Sequence, residues 1–268
     1  MNSALHMVII IAAAFCAFAW AASLFTGDTS WVDRGWSIVP AVYVWVFTAH
    51  AHMHNARLNL MAAVVTLWAI RLTFNFARKG GYTGLEDYRW QVLRDSMNKW
   101  QFQLFNFFFI VLYQNFILVL IALPALTAYE HQGNKFGAWD VILGALFLVL
   151  LLGETIADQQ QWNFQRKKYA DIAAGTKPDA NFVTSGLFSI SRHPNYFCEV
   201  AQWWVLFLIG AHAAGSLNQW TVAGAVLLTI LFVGSTDFTE KITLSKYPEY
   251  AEYRRTTAAV IPFLKFRR

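Results

Sequence analysis

Residues 191–210 read Ser-Arg-His-Pro-Asn-Tyr-Phe-Cys-Glu-Val-Ala-Gln-Trp-Trp-Val-Leu-Phe-Leu-Ile-Gly, a polar motif that runs directly into an apolar stretch. Asn195 and Glu199 are four positions apart, so a helix that begins here carries both side chains on one face. A carboxylate is unfavourable at membrane depth and marks a functional position. The stretch therefore predicts a membrane helix with a functional polar entrance.

The whole chain is rich in apolar side chains. Hydrophobic residues make up 57% of the 268 positions and charged residues 14%, whereas soluble domains carry about 25% charged residues. Seven apolar runs are long enough to cross a bilayer: 4–24, 36–53, 58–76, 104–126, 139–157, 197–214 and 219–236. No lysine or arginine precedes the first run, which favours a retained span over a cleaved signal peptide. We therefore predict an all-α integral membrane protein with seven transmembrane helices and a single domain, residues 1–268.

The distribution of basic residues orients these spans. With seven spans, 18 of the 21 lysine and arginine residues fall in the loops and the tail on one side. Basic loops stay in the cytoplasm, so the N-terminus is predicted to lie outside and the C-terminal tail in the cytoplasm. The net charge of +5 then reflects loops beside anionic lipid. The predicted partner is the lipid bilayer, with no nucleic acid and no obligate protein partner.

Three segments on the predicted cytoplasmic side combine cations, amides or carboxylates, and aromatic rings. They are residues 158–168, 192–199 and 247–255. Arginine and lysine bind phosphates, asparagine and aspartate bind ribose or carboxamide groups, and aromatic faces bind a base, so the segments together have the composition of a nucleotide site. The alternative is that they only anchor the protein at the membrane surface. Glu154, one turn before Asp158, is predicted to line the same cavity.

Other motifs exclude common site types. Gly80-Gly-Tyr-Thr-Gly84 matches neither a Rossmann motif nor a P-loop, so a dinucleotide would bind without such a domain. The stretch His50-Ala-His-Met-His54 has no neighbouring carboxylates, and we predict outer-surface histidines and no metal site. Arg71 lies one turn before Asn75 in an apolar run, where a guanidinium requires a partner such as a carboxylate or a ligand phosphate.

The C-terminal half resembles a known superfamily. Ser191–Glu199 with Trp203 or Trp204, the ending Tyr250-x-x-Tyr253 and Val260-Ile-Pro262 resemble the proteins that include steroid 5-alpha-reductases, sterol C14 reductases and isoprenylcysteine carboxyl methyltransferases. The chain is most similar to the bacterial steroid 5-alpha-reductase-like membrane proteins. This resemblance implies a seven-helix bundle in the bacterial inner membrane that holds NADPH in a cytoplasm-facing cavity and takes a lipophilic, steroid-like enone from the bilayer.

The resemblance also implies site residues. With the cations named above, the predicted cofactor-binding set is Arg71, Asp158, Gln161, Arg166, Lys167, Arg192, His193, Asn195, Tyr196, Glu199, Trp203, Tyr253 and Arg254. The predicted reaction is reduction of the C4–C5 double bond of a 3-oxo-4-ene steroid, in which a neutral donor polarises the carbonyl. Trp68 stands where steroid reductases of the animal type have a tyrosine, and Asp33 and Tyr88 are the predicted catalytic residues.

Two other functions remain open at this stage. The motif of residues 192–194 and the tail are shared with methyltransferases that use S-adenosylmethionine, although those enzymes commonly have paired glutamates where this chain has Glu240-Lys241. A non-catalytic lipid-binding or sterol-binding membrane protein is the third interpretation. NADPH binding without S-adenosylmethionine binding distinguishes the reductase from both.

Overall fold

The computed structural model describes residues 3–84 and 86–264, and these residues form helices without any β-strand. The α-helices are α1 (Ser3–Thr26), α2 (Trp31–Trp36), α3 (Val39–His50), α4 (Ala56–Arg78), α5 (Tyr88–Ser96), α6 (Lys99–Phe105), α7 (Gln114–Ala122), α8 (Pro124–Glu130), α9 (Ala138–Ala173), α10 (Pro194–Ala214), α11 (Val222–Lys246) and α12 (Tyr250–Thr256). A π-helix, Asn106–Tyr113, joins α6 to α7, and a short 3-10 helix, Gly186–Ser189, precedes α10. The predicted all-α class is confirmed.

Six helical segments within the described residues are long and apolar enough to cross a membrane. They are Ser3–Thr26, Ala56–Arg78, Lys99–Glu130, Ala138–Ala173, Pro194–Ala214 and Val222–Lys246. Each contains or overlaps one of the predicted spans, and the protein is therefore a multi-pass membrane protein.

The predicted span 36–53 is not among these six segments. Its region forms the 12-residue helix α3, which starts with Pro40 in its first turn. A helix of this length rises about 18 Å, less than the roughly 30 Å of a hydrocarbon core. After α3 the chain turns sharply at His52 and Met53, which both have positive φ angles. The count of seven spans is therefore not confirmed.

The chain divides into two compact units. Unit 1 comprises Met1–Leu146 and Trp203–Leu228. Within it, a Cβ added to Gly210 would lie 2.5 Å from the carbonyl oxygen of Pro124, so glycine permits this close helix approach. The start of α9 is held by the buried pair of Arg57 and Asp140, whose Nε and Oδ1 atoms are 2.6 Å apart.

Unit 2 comprises Phe147–Gln202 and Thr229–Arg268. Its apolar core contains Ala157, Val183 and Phe188, with Phe164 and Leu187 packed against them. The Cys198 sulfur would lie 3.1 Å from a Cβ added at Gly153, which shows how closely α9 and α10 approach in this unit. Helix α9 continues to Ala173, so the polar segment 158–168 that follows the fifth apolar run is helical as well.

Candidate functional site

Polar side chains line the contact between α9 and α10 in unit 2. Glu154 and Asp158 lie on α9 and are buried. On α10, Asn195 donates from Nδ2 to Asp158 Oδ1 over 3.3 Å, and Gln202 donates from Nε2 to Glu154 Oε2 over 2.7 Å. Glu199, between these two residues on α10, is 4% exposed. Two amide–carboxylate hydrogen bonds thus join α9 to α10, and a third buried carboxylate, Glu199, lies between the two amides along α10.

A second cluster surrounds Glu240 on α11, which is only 3% exposed. Its Oε1 atom is 2.6 Å from Arg192 Nε and 3.2 Å from His193 Nε2. Its Oε2 atom is 3.0 Å from Arg254 Nε, and the Tyr250 hydroxyl is 3.5 Å from Oε1. We call these five residues the Glu240 cluster. It contains three predicted cofactor-binding residues, whose common partner was not predicted.

The Glu240 cluster also fixes the C-terminal segment. Arg192 Nη2 donates to Glu240 Oε2 over 3.1 Å, and Nη1 donates to the carbonyl oxygens of Arg254 and Thr257. The backbone nitrogen of Arg192 donates to Ala258 O over 2.8 Å, and that of His193 donates to Ala259 O over 3.0 Å. Because its three guanidinium nitrogens all bind protein acceptors, Arg192 holds the tail against the polar motif. The structure thus gives Arg192 a positioning role.

Four aromatic rings form a second group that shares Tyr250 with the Glu240 cluster. Phe182 packs against Tyr247, Tyr250 and Tyr253, with ring centroids 6.4, 4.9 and 5.6 Å away. Burial raises the pKa of Tyr250 and of Tyr253, so both hydroxyls stay protonated at neutral pH. The Tyr253 hydroxyl donates to the carbonyl oxygen of Phe188. We call these four rings the aromatic cluster.

The three segments predicted to share one ligand do meet in unit 2. Segment 158–168 contacts segment 192–199 through Asp158 and Asn195. It contacts segment 247–255 through Lys168, whose Nζ donates to the Tyr247 hydroxyl over 3.0 Å. Segments 192–199 and 247–255 are joined within the Glu240 cluster. Residues distant in sequence therefore form one polar and aromatic region.

Other predicted residues lie around this region. Tyr196 stacks on His193 with a centroid distance of 5.2 Å and meets Phe232 edge-on at 4.9 Å. Gln161 is half-buried on α9, whereas Arg166 and Lys167 are exposed further along the helix. Lys167 forms an exposed ion pair with Asp179. These two exposed cations lie on the part of α9 that is accessible to a phosphate.

Unit 2 also contains buried polar atoms without a hydrogen-bond partner among the described residues. They are Gln202 Oε1 on α10 and the hydroxyl oxygens of Thr236 and Thr239 on α11. Gln202 directs its amide nitrogen to Glu154 and to the Cys198 carbonyl oxygen, so its oxygen remains an acceptor. Buried polar groups are normally satisfied. A ligand rich in hydroxyl and amide groups, such as a nicotinamide dinucleotide, has the donors and acceptors that these three buried atoms require.

The remaining predicted residues belong to unit 1. Asp33 on α2 accepts a hydrogen bond from Trp90 Nε1 over 2.8 Å. Tyr88 is 50% exposed at the first residue of α5. Arg71 is half-buried on α4. Trp203 is buried and meets Trp68 edge-on, with ring centroids 4.8 Å apart.

Glu240 and Gln202 were not predicted as site residues from the sequence. Glu240 satisfies the criterion that identified Glu199, because it is a carboxylate within an apolar helix. Gln202 lies seven positions after Asn195, a spacing that returns to the same helical face. Both signals were present in the sequence.

The pKa of the Asp33 carboxyl is unusually high for an aspartate. Burial, and next the charge of Asp87, raise the pKa of Asp33 to about 6. Its ordinary value is about 3.9, so between about pH 4 and pH 6 the folded protein holds a proton that the unfolded chain has lost. Stability contributed by this proton is present below this range and falls as the pH rises through it.

We therefore expect Asp33→Asn to stabilise the protein at pH 7 to 8, by up to about 3 kcal/mol in the free energy of unfolding. Below about pH 4 the variant and the wild type should melt alike. Melting temperatures of both proteins across this pH range measure the effect, with the exposed Asp95→Asn as a control on α5. An unchanged pH dependence in the Asp33 variant would contradict the assignment.

These features define a class: a multi-pass membrane protein with a polar and aromatic candidate site in one of its two units. A family model described as "Protein of unknown function (DUF1295)" matches residues 19–257, and the chain belongs to this family.

Two relatives are similar to the chain. An uncharacterized protein of Schizosaccharomyces pombe is 39% identical over 264 residues, which covers 91% of this chain and 76% of the relative. The cobalt-zinc-cadmium resistance protein CzcN of Cupriavidus metallidurans is 32% identical over 89 residues, which covers 32% of this chain and 38% of CzcN. No solved structure matches the chain.

Proposed function

We propose that the protein is an NADPH-dependent reductase of a lipophilic enone, such as a 3-oxo-4-ene steroid. The observation that carries this proposal is the meeting of segments 158–168, 192–199 and 247–255 in unit 2. The resemblance of the same segments to steroid 5-alpha-reductases supports the reductase interpretation over a general nucleotide-binding role.

The residues of unit 2 have separate roles in this proposal. Arg166 and Lys167 bind the phosphates, because they are cations on the exposed part of α9. Asp158, Asn195 and Glu199, together with the unsatisfied Gln202 and threonine oxygens, bind the ribose and carboxamide groups. The Glu240 cluster positions the tail, with Tyr253 and Arg254, over the ligand. NADPH supplies the hydride when it is bound.

Polarisation of the substrate carbonyl needs a neutral hydrogen-bond donor. Asp33, with its pKa of about 6, holds a proton under mildly acidic conditions, and Tyr88 is the second candidate donor. A neutral donor stabilises the enolate that develops when hydride reaches the β carbon. The bilayer delivers a substrate of low water solubility to the protein.

The proposed topology places the N-terminus outside and the nucleotide site in the cytoplasm, where NADPH is available. The charge bias of the loops supports this orientation. A seventh crossing by residues 36–53 stays a prediction, since α3 covers only Val39–His50 of this run. A bacterial inner membrane stays a prediction, since one relative is a fission yeast protein.

Ligand-dependent melting tests the cofactor first. The full chain in detergent should melt at a higher temperature with NADPH and at an unchanged temperature with S-adenosylmethionine; ligand at 100 times its dissociation constant stabilises by about 2.7 kcal/mol. Asn195→Ala should lose most of this shift. Asn163→Ala, an exposed asparagine on α9, is the matched control and should keep it.

The other outcomes separate the alternatives. A shift with S-adenosylmethionine alone would identify a methyltransferase, and no shift with either compound would leave a lipid-binding protein. If NADPH binds, its oxidation in the presence of testosterone or progesterone tests the reaction. Absence of turnover across several enones would reject the substrate class and retain the cofactor.

A further inference from the structure

Three arginines lie in or beside the Glu240 cluster, and they differ in how many of their nitrogens bind protein acceptors. Arg192 uses all three guanidinium nitrogens, for Glu240 and for carbonyl oxygens of the tail. Arg255 uses Nε and Nη2 in its exposed pair with Glu252. Arg254 contacts Glu240 through Nε over 3.0 Å, and its Nη1 and Nη2 atoms donate no hydrogen bond to the described residues. Arg254 therefore keeps one edge of its guanidinium available.

The available edge belongs to a residue that is held at two points. The Arg254 carbonyl oxygen accepts from Arg192 Nη1 over 2.9 Å, and Glu240 Oε2 contacts the Nε atom of the side chain. Arg192 and Glu240 are themselves joined by hydrogen bonds of 2.6 and 3.1 Å. An ordinary surface arginine loses rotamer freedom when it binds a ligand, whereas a side chain that is already fixed loses less. The Arg254 guanidinium, whose side chain is 29% exposed, is therefore preorganised for a ligand from solvent.

The charges of the Glu240 cluster do not balance. Glu240 is the only carboxylate of the cluster, and it faces the guanidinium groups of both Arg192 and Arg254. Because Arg192 already binds both carboxylate oxygens, the charge of Arg254 is in excess. Glu252, on the same helix as Arg254, is paired with Arg255. A guanidinium edge binds two oxygens of an anion side by side, so the excess charge and the available edge together indicate a phosphate or carboxylate ligand.

Aromatic rings adjoin this arginine and favour one kind of anion. Tyr253 precedes Arg254 in the chain, and Tyr250 belongs to both clusters, with its hydroxyl 3.5 Å from Glu240 Oε1 and its ring 4.9 Å from that of Phe182. Phe182 and Tyr253 are half-buried, so part of each ring is accessible. Aromatic faces bind nucleobases by stacking. The surroundings therefore favour a phosphate that is attached to a nucleoside.

We propose that Arg254 binds the 2′-phosphate on the adenosine half of NADPH and thereby makes the protein select NADPH over NADH. This inference rests on the proposed function, which supplies the dinucleotide. The 2′-phosphate is the one group by which the two cofactors differ, and a phosphate monoester carries about 1.5 to 2 negative charges at pH 7. Arginine also accommodates this phosphate in Rossmann-type NADP sites. The pyrophosphate is left to Arg166 and Lys167 on α9.

Matched pairs of nucleotides test the proposal with the full chain in detergent. NADPH is compared with NADH, and adenosine 2′,5′-bisphosphate with 5′-AMP, so that the members of each pair differ only in the 2′-phosphate. Isothermal titration calorimetry should show the phosphorylated member of each pair binding about tenfold more tightly or better. Arg254→Gln should reduce both preferences to about twofold or less and leave the affinities for NADH and 5′-AMP unchanged. A purely structural role of Arg254 would instead weaken both members of a pair alike.

Arg255→Gln is the matched control, because it removes the same charge from the next position, where Glu252 already occupies the guanidinium. Both preferences of this variant should equal those of the wild type. Melting temperatures verify folding, and Arg254→Gln should fold because Glu240 keeps its hydrogen bonds with Arg192.

The outcomes separate this inference from the proposed function. Equal binding within each pair by the wild type, or preferences unchanged in Arg254→Gln, would overturn the inference and leave a dinucleotide-binding reductase. Arg254-dependent binding of inorganic phosphate or of short-chain phosphatidic acid as tight as that of the bisphosphate would also overturn it, and would assign the site to free phosphate or to a lipid head group. Preferences that depend on Arg254 without reduction of any enone would uphold the inference and reject the proposed reaction.

Discussion

Glu240→Ala should lower the free energy of unfolding by about 3–5 kcal/mol, the largest loss we expect from one substitution in unit 2. Glu240 is 3% exposed, and its two carboxylate oxygens bind Arg192, His193 and Arg254. Alanine removes the only carboxylate of the cluster and leaves the Arg192 guanidinium, itself 8% exposed, without its counter-charge. An uncompensated buried charge is strongly unfavourable.

The tail should respond together with global stability. Arg192 also holds the carbonyl oxygens of Arg254 and Thr257, so its displacement should expose the peptide bonds after Arg254 and Arg255 to trypsin. Melting temperature in detergent and the rate of tryptic cleavage measure the two effects. Glu252→Ala, which breaks the exposed Glu252–Arg255 pair, is the control and should change the melting temperature little. A Glu240 variant that melts like the wild type would show that the cluster contributes little.

Arg57→Met should have a comparable effect in unit 1, again about 3–5 kcal/mol. The Arg57 and Asp140 side chains are 2% and 0% exposed, with Nε to Oδ1 at 2.6 Å and Nη2 to Oδ2 at 2.9 Å. Arg57 also donates to the carbonyl oxygens of Asn134 and Lys135. The substitution therefore leaves a buried carboxylate and two carbonyl oxygens without this donor.

A double-mutant cycle separates the ion pair from the other contacts. Asp140→Leu alone should destabilise strongly as well, because Asp140 also accepts the Gly137 backbone N–H at the start of α9. The double variant should be less destabilised than the sum of the two single variants, since no charge is left buried alone. Strictly additive melting data would contradict coupling between Arg57 and Asp140.

Much of the helical organisation could be predicted from the sequence. The first and third runs, 4–24 and 58–76, became Ser3–Thr26 and Ala56–Arg78, because the length of an apolar run is a local property that the bilayer thickness converts into a helix. The span predicted over 36–53 is not among the six segments, because the composition of an apolar run does not show where a helix ends. Its residues include the end of α2, the turn before α3 and the turn at His52 and Met53.

The segments that form the candidate site could be predicted from the sequence. The residue pairs that join these segments could not. The positions of basic and polar residues along the chain predicted that 158–168, 192–199 and 247–255 share one region, and in unit 2 they do. The partner of Arg192 could not be predicted, since Glu240 lies 48 positions away on another helix.

The sequence by itself determined the membrane class, the apolar helices and the segments that carry polar chemistry, because each depends on residues that are neighbours along the chain. Only the tertiary structure decided that Glu240 joins Arg192 to Arg254, and that Arg57 on α4 pairs with Asp140 on α9. The physical reason is that burial and hydrogen bonding depend on which helix faces pack together. Helical periodicity defines the faces of each helix and leaves their pairing to the fold.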